Sequence, residues 1–299
     1  MGKTNRKIDL LLMSGDWAIE RSFALMSLNQ YLSEIALIES GATFSDLGFA
    51  EKRAKSLSSI ISPSGAFQNV QVNDLENTEF GSIAHLKLSG VMRSEDGMSS
   101  RGVSSLVSDI YSANGNPAIK GIILEARTGG GESISGSILM SAIKDSKKPI
   151  IVLSHLLASA GIKGTLYADE IIASSKSAEF GSIGTYLSLD KEILEYYKEN
   201  VTEIYSDDSP DKNKGFRDLL AGDANTIIKE ITKADNRFMD EVRRARPLKG
   251  NIEKTLMGGM FPAMDAKRRG LIDRIGGMNL AIDRVNFYAE LYKNKKRRK

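Results

Sequence analysis

The chain has 299 residues, 41% of them apolar and 26% charged, with a net charge of only +3. That length can bury a substantial core, and the near balance of charge excludes a global field of the kind that draws nucleic acid. There are no cysteines and only two histidines, His85 and His155, which excludes disulfides, thiolate nucleophiles and a three-histidine metal centre.

Residues 1 to about 60 read as helical. Leu10, Leu11, Trp17, Ile19, Phe23, Leu25, Met26 and Leu28 lie among polar residues without strict alternation, and Ala50 to Ile61 continues the pattern. Ile8 to Met13 is too short to span a bilayer and has no small-residue cleavage pattern, so neither a membrane anchor nor a signal peptide is read, and a cytoplasmic setting is expected. Ser62-Pro63-Ser64-Gly65 is a breaker, and residues 66–80 are polar. The expected division is a helical arm over 1–65, a linker over 66–80, one catalytic-size domain over 81–292 and a basic tail over 293–299.

From residue 81 strands and helices alternate. Strands are predicted over 82–88, 119–126, 149–154, 171–173, 181–189, 201–205 and 271–275. Helices are predicted over 103–113, 133–144 (with Ile134, Ile138, Leu139 and Ile143 inward), 162–168, 191–199, 226–246, 263–269 and 280–292. Continuous apolar strands such as Gly121-Ile122-Ile123-Leu124, separated by helices, describe an α/β protein with a sheet buried on both faces.

Two strand-to-helix corners carry chemistry. Thr128-Gly129-Gly130-Gly131 can turn backbone N–H groups outward as an oxyanion hole, or serve as a plain tight turn. A phosphate cradle fits less well, because neither Gly-Lys-Ser/Thr nor G-x-G-x-x-G is present. Ala158-Ser159-Ala160-Gly161 presents a serine at the next corner, where it is either a helix N-cap or a nucleophile. Neighbouring parallel strands bring both corners to one carboxyl edge, the edge at which α/β sheets bind ligands. For a base, His155 ends the preceding strand and points elsewhere, and His85 is read as structural. A lysine made neutral by burial is the remaining option. Lys163 and Lys176 are expected on surfaces, and Lys212 and Lys214 lie in a polar loop.

Ala158-Ser159-Ala160-Gly161, then Tyr167-Ala168-Asp169-Glu170-Ile171-Ile172-Ala173, then Gly181-Ser182-Ile183-Gly184, resembles the signal-peptide-peptidase A family of serine peptidases in the Clp-protease/crotonase superfamily. Lys120 to Leu124 with its glycine run, the segment Tyr205 to Arg217, and Ala266-Lys267-Arg268-Arg269-Gly270-Leu271-Ile272-Asp273 extend the resemblance over about 82–290. It implies a Clp-protease/crotonase-like core of stacked ββα units and a Ser/Lys dyad. Ser159 is implied as nucleophile and Ser182 as the serine orienting the amine. Lys212, 53 residues after Ser159, is implied as base with Lys214 as its alternative, and Gly130 with Ala160 as the oxyanion hole. The chain departs from the family pattern at Ala160, where a glycine is usual, at Gly129, where a proline is usual, and in lacking the Ser-Gly-Lys form around the lysine. Histidine-based relatives carry their histidine where this chain has Gly184.

The reading is a serine endopeptidase without cofactor or metal, binding an extended protein or peptide substrate beside a strand edge. The resemblance further implies a homo-oligomer. The short basic-tailed chain is similar to phage-encoded members that process scaffold and capsid proteins, which sets it in the host cytoplasm or procapsid interior, with no membrane and no nucleic-acid partner. The rival readings are a crotonase-like acyl-CoA enzyme and a catalytically dead assembly protein on the same fold.

Overall fold

A computed structural model of the protein describes residues 15–19, 36, 40–41, 59–68, 78–96, 100–189 and 191–297. The strands in chain order begin with β1 (Gly15–Ile19), β2 (Ser59–Ile61), β3 (Phe67–Gln68) and β4 (Ser82–Ser89). Helix α1 (Val103–Gly115) leads to β5 (Ile119–Thr128), β6 (Gly130–Glu132), α2 (Ser133–Lys144), β7 (Ile150–Ala158) and α3 (Ala160–Thr165). Then come β8 (Glu170–Ala173), β9 (Glu179–Gly181), β10 (Tyr186–Ser188), α4 (Lys191–Asn200), α5 (Lys214–Leu220) and α6 (Asn225–Ala245). The chain closes with α7 (Ile252–Leu256), β11 (Met260–Pro262), α8 (Ala263–Arg268), β12 (Arg274–Ile275) and α9 (Met278–Arg297).

The main sheet runs β11-β9-β7-β5-β4-β2-β3, with β8 and β12 branching from β7. Its centre, β4, β5, β7 and β9, is parallel. Ile122, Ile123 and Leu124 are fully buried because both faces are covered. Alternation along β5 sends Ile122 and Leu124 into the larger core with Ile110 and Leu139, and sends Ile123 to the opposite face against Ala281 and Val285 of α9. Each such apolar side chain contributes about 1.5–3 kcal/mol by leaving water. This is an α/β core with its central sheet buried on both faces, as the sequence implies, and β5–β6–α2 forms a ββα unit within it.

Strand β7 is where the sheet divides. Its first half, Ile151 to Ser154, pairs with β8, and its second half, Leu156 to Ala158, pairs with β9. The register against β5 slips between Ala126 and Arg127, which leaves His155 without a partner residue on β5. The bulge turns the end of β7 away from β8 and toward β9. A second sheet, order β10-β1-β6, is antiparallel throughout.

Several expectations need correction. Residues 15–19 and 59–61 are strands rather than parts of a helical arm, and β2 and β3 join the main sheet, so that sheet begins before the linker expected at 66–80. Most of the rest of the proposed arm, including the apolar run 8–13, lies outside the described residues. Residues 201–205 are not a strand, and 181–189 is two short strands separated by a loop at 182–185. Ile134 is exposed rather than inward. α9 continues to Arg297, so most of the basic tail is helix. Each strand error has one cause: periodicity is local, whereas pairing between distant segments decides which apolar residues form strands.

Candidate active site

Three neighbouring strand ends build the site. Leu157 is in register with Thr128, and Ala158 with Gly181. The residues that follow, Gly129–Gly130, Ser159 and Ser182, therefore share one carboxyl edge. These are the glycine run and the two serines singled out in the sequence.

Ser159 sits at the N-cap position of α3 with φ 54 and ψ −116, a conformation that costs a non-glycine residue about 1–3 kcal/mol. It is 1% exposed. Its hydroxyl makes no capping bond to the helix, and instead donates to the Gly184 carbonyl at 3.3 Å. The simple N-cap reading therefore fails for this serine. The strain is held by the Ser159 N–H donating to Gly181 O at 2.9 Å and by Lys163 N–H donating to Ser159 O at 3.0 Å. Such strand–turn–helix corners lift a side chain to the edge of a sheet.

Ser182 also has positive φ, at 51, and its N–H donates to Gly259 O at 2.9 Å. Gly181 before it must be glycine: at φ +139 an added Cβ would lie 2.2 Å from Gly259 O. The Ser182 side chain has no hydrogen-bond partner among the described residues, which leaves its hydroxyl available. The loop 182–185 is fixed from α6, where Asp235 Oδ1 accepts from Thr185 N–H at 2.7 Å. Burial raises the Asp235 carboxyl above its ordinary range, against the lowering effect of that hydrogen bond. Asp235 was not foreseen, and a single aspartate in an amphipathic helix offers no signal by which it could have been.

The glycine run is a strand, β6, rather than a free turn. Gly130 has φ 101 and its N–H donates to Thr128 Oγ1 at 3.0 Å, while Thr128 Oγ1 donates to Gly90 O at 2.7 Å. Met92 bonds across Gly131, its N–H to Gly130 O and its carbonyl from Glu132 N–H, both at 2.9 Å. By strand alternation Gly131 then directs its own N–H and carbonyl to the opposite side, toward β1. The Ala160 N–H, at the start of α3, donates to no acceptor among the described residues. Of the two implied oxyanion donors, Ala160 is thus open and Gly130 is held by a threonine hydroxyl.

The lysines fall into two groups. Lys212 and Lys214 are exposed. The Lys212 N–H closes a turn on Ser209 O, and the Lys214 amine is paired with Asp218 at 2.8 Å. Neither makes a contact with Ser159. Lys163, expected on a solvated surface, is instead partly buried one helical turn after Ser159. Its amine donates to Ser133 O at 3.2 Å and Ser133 Oγ at 3.3 Å, beside the Phe238 ring. Burial, and secondarily the Arg237 charge, lowers its pKa from the ordinary lysine range.

Both histidines lie away from Ser159. His155, at the bulge, is exposed and its Nδ1 faces Ser174 and Ser175 at 3.5 and 3.4 Å. His85 is 3% exposed, with Nδ1 at 2.9 Å from Ser59 Oγ and Nε2 at 2.9 Å from Glu125 Oε2. No group of three or more histidine, aspartate or glutamate side chains able to hold a metal occurs among the described residues. Nor is any helix there long and apolar enough to cross a membrane.

The chain is 26% identical over 185 residues to "Protease 4" of Haemophilus influenzae, covering 58% of this chain and 29% of that protein. It is 26% identical over 200 residues to "Serine protease SPPA, chloroplastic" of Arabidopsis thaliana, covering 64% and 29%. The chain thus spans about three tenths of the length of these curated relatives. Among solved structures, a ClpP1 mutant from Listeria monocytogenes aligns with TM-score 0.44 and 15% identity over 66% of this chain and 94% of that one. An enoyl-CoA hydratase/isomerase family protein from Hyphomonas neptunium aligns with TM-score 0.38 and 17% identity over 70% and 71%. The model of "Peptidase family S49" matches residues 142–291, half of the chain, and takes in Ser159, Ser182 and the lysine loop. With that match, the chain belongs to peptidase family S49.

Proposed function

We propose that the protein is a serine peptidase in which Ser159 attacks the substrate carbonyl. The observation that carries this reading is the Ser159 corner. The serine is strained, buried, does not cap its helix, and stands on the same edge as a glycine run and a second serine. Strain of this kind is retained where a side chain must be aimed.

In the proposed reaction the Ser159 Oγ–H proton passes to a neutral amine as the Oγ–C bond forms. The Ala160 N–H and the Gly130 N–H, the latter exchanging Thr128 Oγ1 for the oxyanion, stabilise the tetrahedral intermediate. Collapse expels the amine product, protonated by the same lysine, and leaves an acyl-enzyme that water hydrolyses. Lys212 is the proposed base, with Lys214 as alternative and Ser182 orienting the amine. For Lys212 to act, the exposed 207–213 loop must bring it to the corner. A second candidate is favoured by a specific observation: Lys163 is the lysine beside the corner whose amine burial pushes toward neutrality.

A fluorophosphonate probe tests the assignment. Wild type is expected to label and Ser159→Ala to stay unlabelled; labelling that survives in Ser159→Ala overturns the reading. Whichever of Lys212→Ala, Lys214→Ala and Lys163→Ala loses labelling identifies the base. The finer proposal, a homo-oligomer that processes scaffold or capsid proteins, is tested by the proteins that accumulate uncleaved when Ser159→Ala replaces the wild-type chain in its host.

A further inference from the structure

The three-stranded sheet gives the site an occupant. β6 holds the glycine run, and β10 follows directly on the loop that carries Ser182 and Gly184. These two strands do not pair with each other; β1 lies between them, antiparallel to both. On one side Ile19, Ala18 and Trp17 are in register with Gly130, Gly131 and Glu132. On the other, Gly15, Asp16 and Trp17 are in register with Ser188, Leu187 and Tyr186. The loop that leads into β10 carries Gly184, whose carbonyl receives the Ser159 hydroxyl. The carboxyl end of β1 is thereby at Gly130, and the strand runs beside α2 and α3.

Without β1, β6 and β10 are two three-residue edges about 9.5 Å apart, twice the spacing of paired strands. Both would present unpaired backbone groups to one gap. A gap of that width accepts one extended chain bonded on both sides, which is how a peptide is bound by strand addition. We infer that this gap is the substrate groove and that residues 15–19 of the chain itself fill it, holding the peptidase in a self-blocked state. This inference rests on the reading of Ser159 as nucleophile for its consequence, though not for the groove itself. The partner such a groove fits is an unfolded or extended polypeptide segment, running antiparallel to β6 with its carboxyl side toward Ser159. Substrate must displace β1, whose tether raises its local concentration to the millimolar range.

The test uses the full chain carrying Ser159→Ala, so that no peptide is cut, with a fluorescein-labelled peptide of residues 12–21 as probe. Ala18→Pro removes a backbone donor at the middle of β1 and should release the strand. Fluorescence anisotropy is expected to show peptide binding about tenfold or more tighter to Ser159→Ala/Ala18→Pro than to Ser159→Ala. Equal affinity for both proteins, or no binding to the folded double variant, overturns the inference. Should Ala18→Pro unfold the chain, hydrogen exchange on the Ser159→Ala protein decides. Excess unlabelled peptide should release residues 15–19 to fast exchange while 130–132 and 186–188 keep their protection, and no release overturns the inference. Fluorophosphonate labelling of Ala18→Pro against wild type separates the two proposals. Faster labelling supports both, equal labelling overturns self-blocking alone, and peptide binding with no labelling in either overturns the peptidase reading alone.

Discussion

Replacing Thr128 with valine removes the one hydroxyl that ties the glycine run to the sheet while nearly keeping the side chain's shape. Thr128 is 0% exposed, and its Oγ1 donates to Gly90 O at 2.7 Å and accepts from Gly130 N–H at 3.0 Å. Two such bonds contribute about 1 kcal/mol each, and leaving the buried Gly130 amide without a partner adds about 1–2 kcal/mol. Thr128→Val is therefore expected to lose about 2–4 kcal/mol, read as a lower urea midpoint at unchanged slope. Thr128→Ser is the control. It keeps both bonds and loses only Cγ2, which packs where an added Cβ on Gly161 would come within 2.7 Å. One methyl is worth about 0.8 kcal/mol plus a small cavity cost. The expected order is wild type, then serine, then valine. A valine variant within about 0.5 kcal/mol of wild type, or a serine variant less stable than valine, would refute the claim that this hydroxyl holds the run.

Gly161→Ala is expected to slow fluorophosphonate labelling of a folded protein, because its Cβ meets Thr128 Cγ2 at 2.7 Å and Leu157 Cδ1 at 3.2 Å, and so shifts the Ser159 corner. Glu170→Gln is expected to cost about 3 kcal/mol in urea unfolding: the carboxylate is 4% exposed and receives Arg274 and Arg284 side chains at 2.9 Å, and the largely buried Arg284 would be left without its counter-charge. Asp235→Asn keeps the acceptor for Thr185 N–H. Since the folded Asp235 pKa is raised, its contribution is present below the unfolded value and lost as pH rises through the folded one. The asparagine variant should therefore gain stability on wild type at neutral pH, and an equal or lower midpoint there would contradict the burial argument. Lys163 has the opposite sign: with its folded pKa lowered, the unfolded chain binds the extra proton, so stability rises with pH between the folded and unfolded values. Lys163→Met should flatten that alkaline slope in a pH series of thermal midpoints.

The amino-acid sequence by itself determined the α/β class, the central strands and the helices it placed at 103–113, 133–144 and 226–246, which the fold sets at Val103–Gly115, Ser133–Lys144 and Asn225–Ala245, because apolar runs and amphipathic stripes are local patterns set by burial. It also marked Ser159 and the glycine run, since small residues at strand ends announce corners, while Ser182 was marked only by the resemblance of Gly181-Ser182-Ile183-Gly184 to the family pattern. Only the tertiary structure decided that those corners adjoin, because register between β5, β7 and β9 joins residues far apart in the chain. Tertiary packing also partly buried Lys163, left Lys212 exposed, and set Asp235 on Thr185, as titration and partnership depend on neighbours that no single-chain spacing specifies. Residues 15–19 show the same limit most plainly. Read alone they suit a helix; between β6 and β10 two unsatisfied strand edges make them a strand, since backbone donors and acceptors facing a gap must be paired.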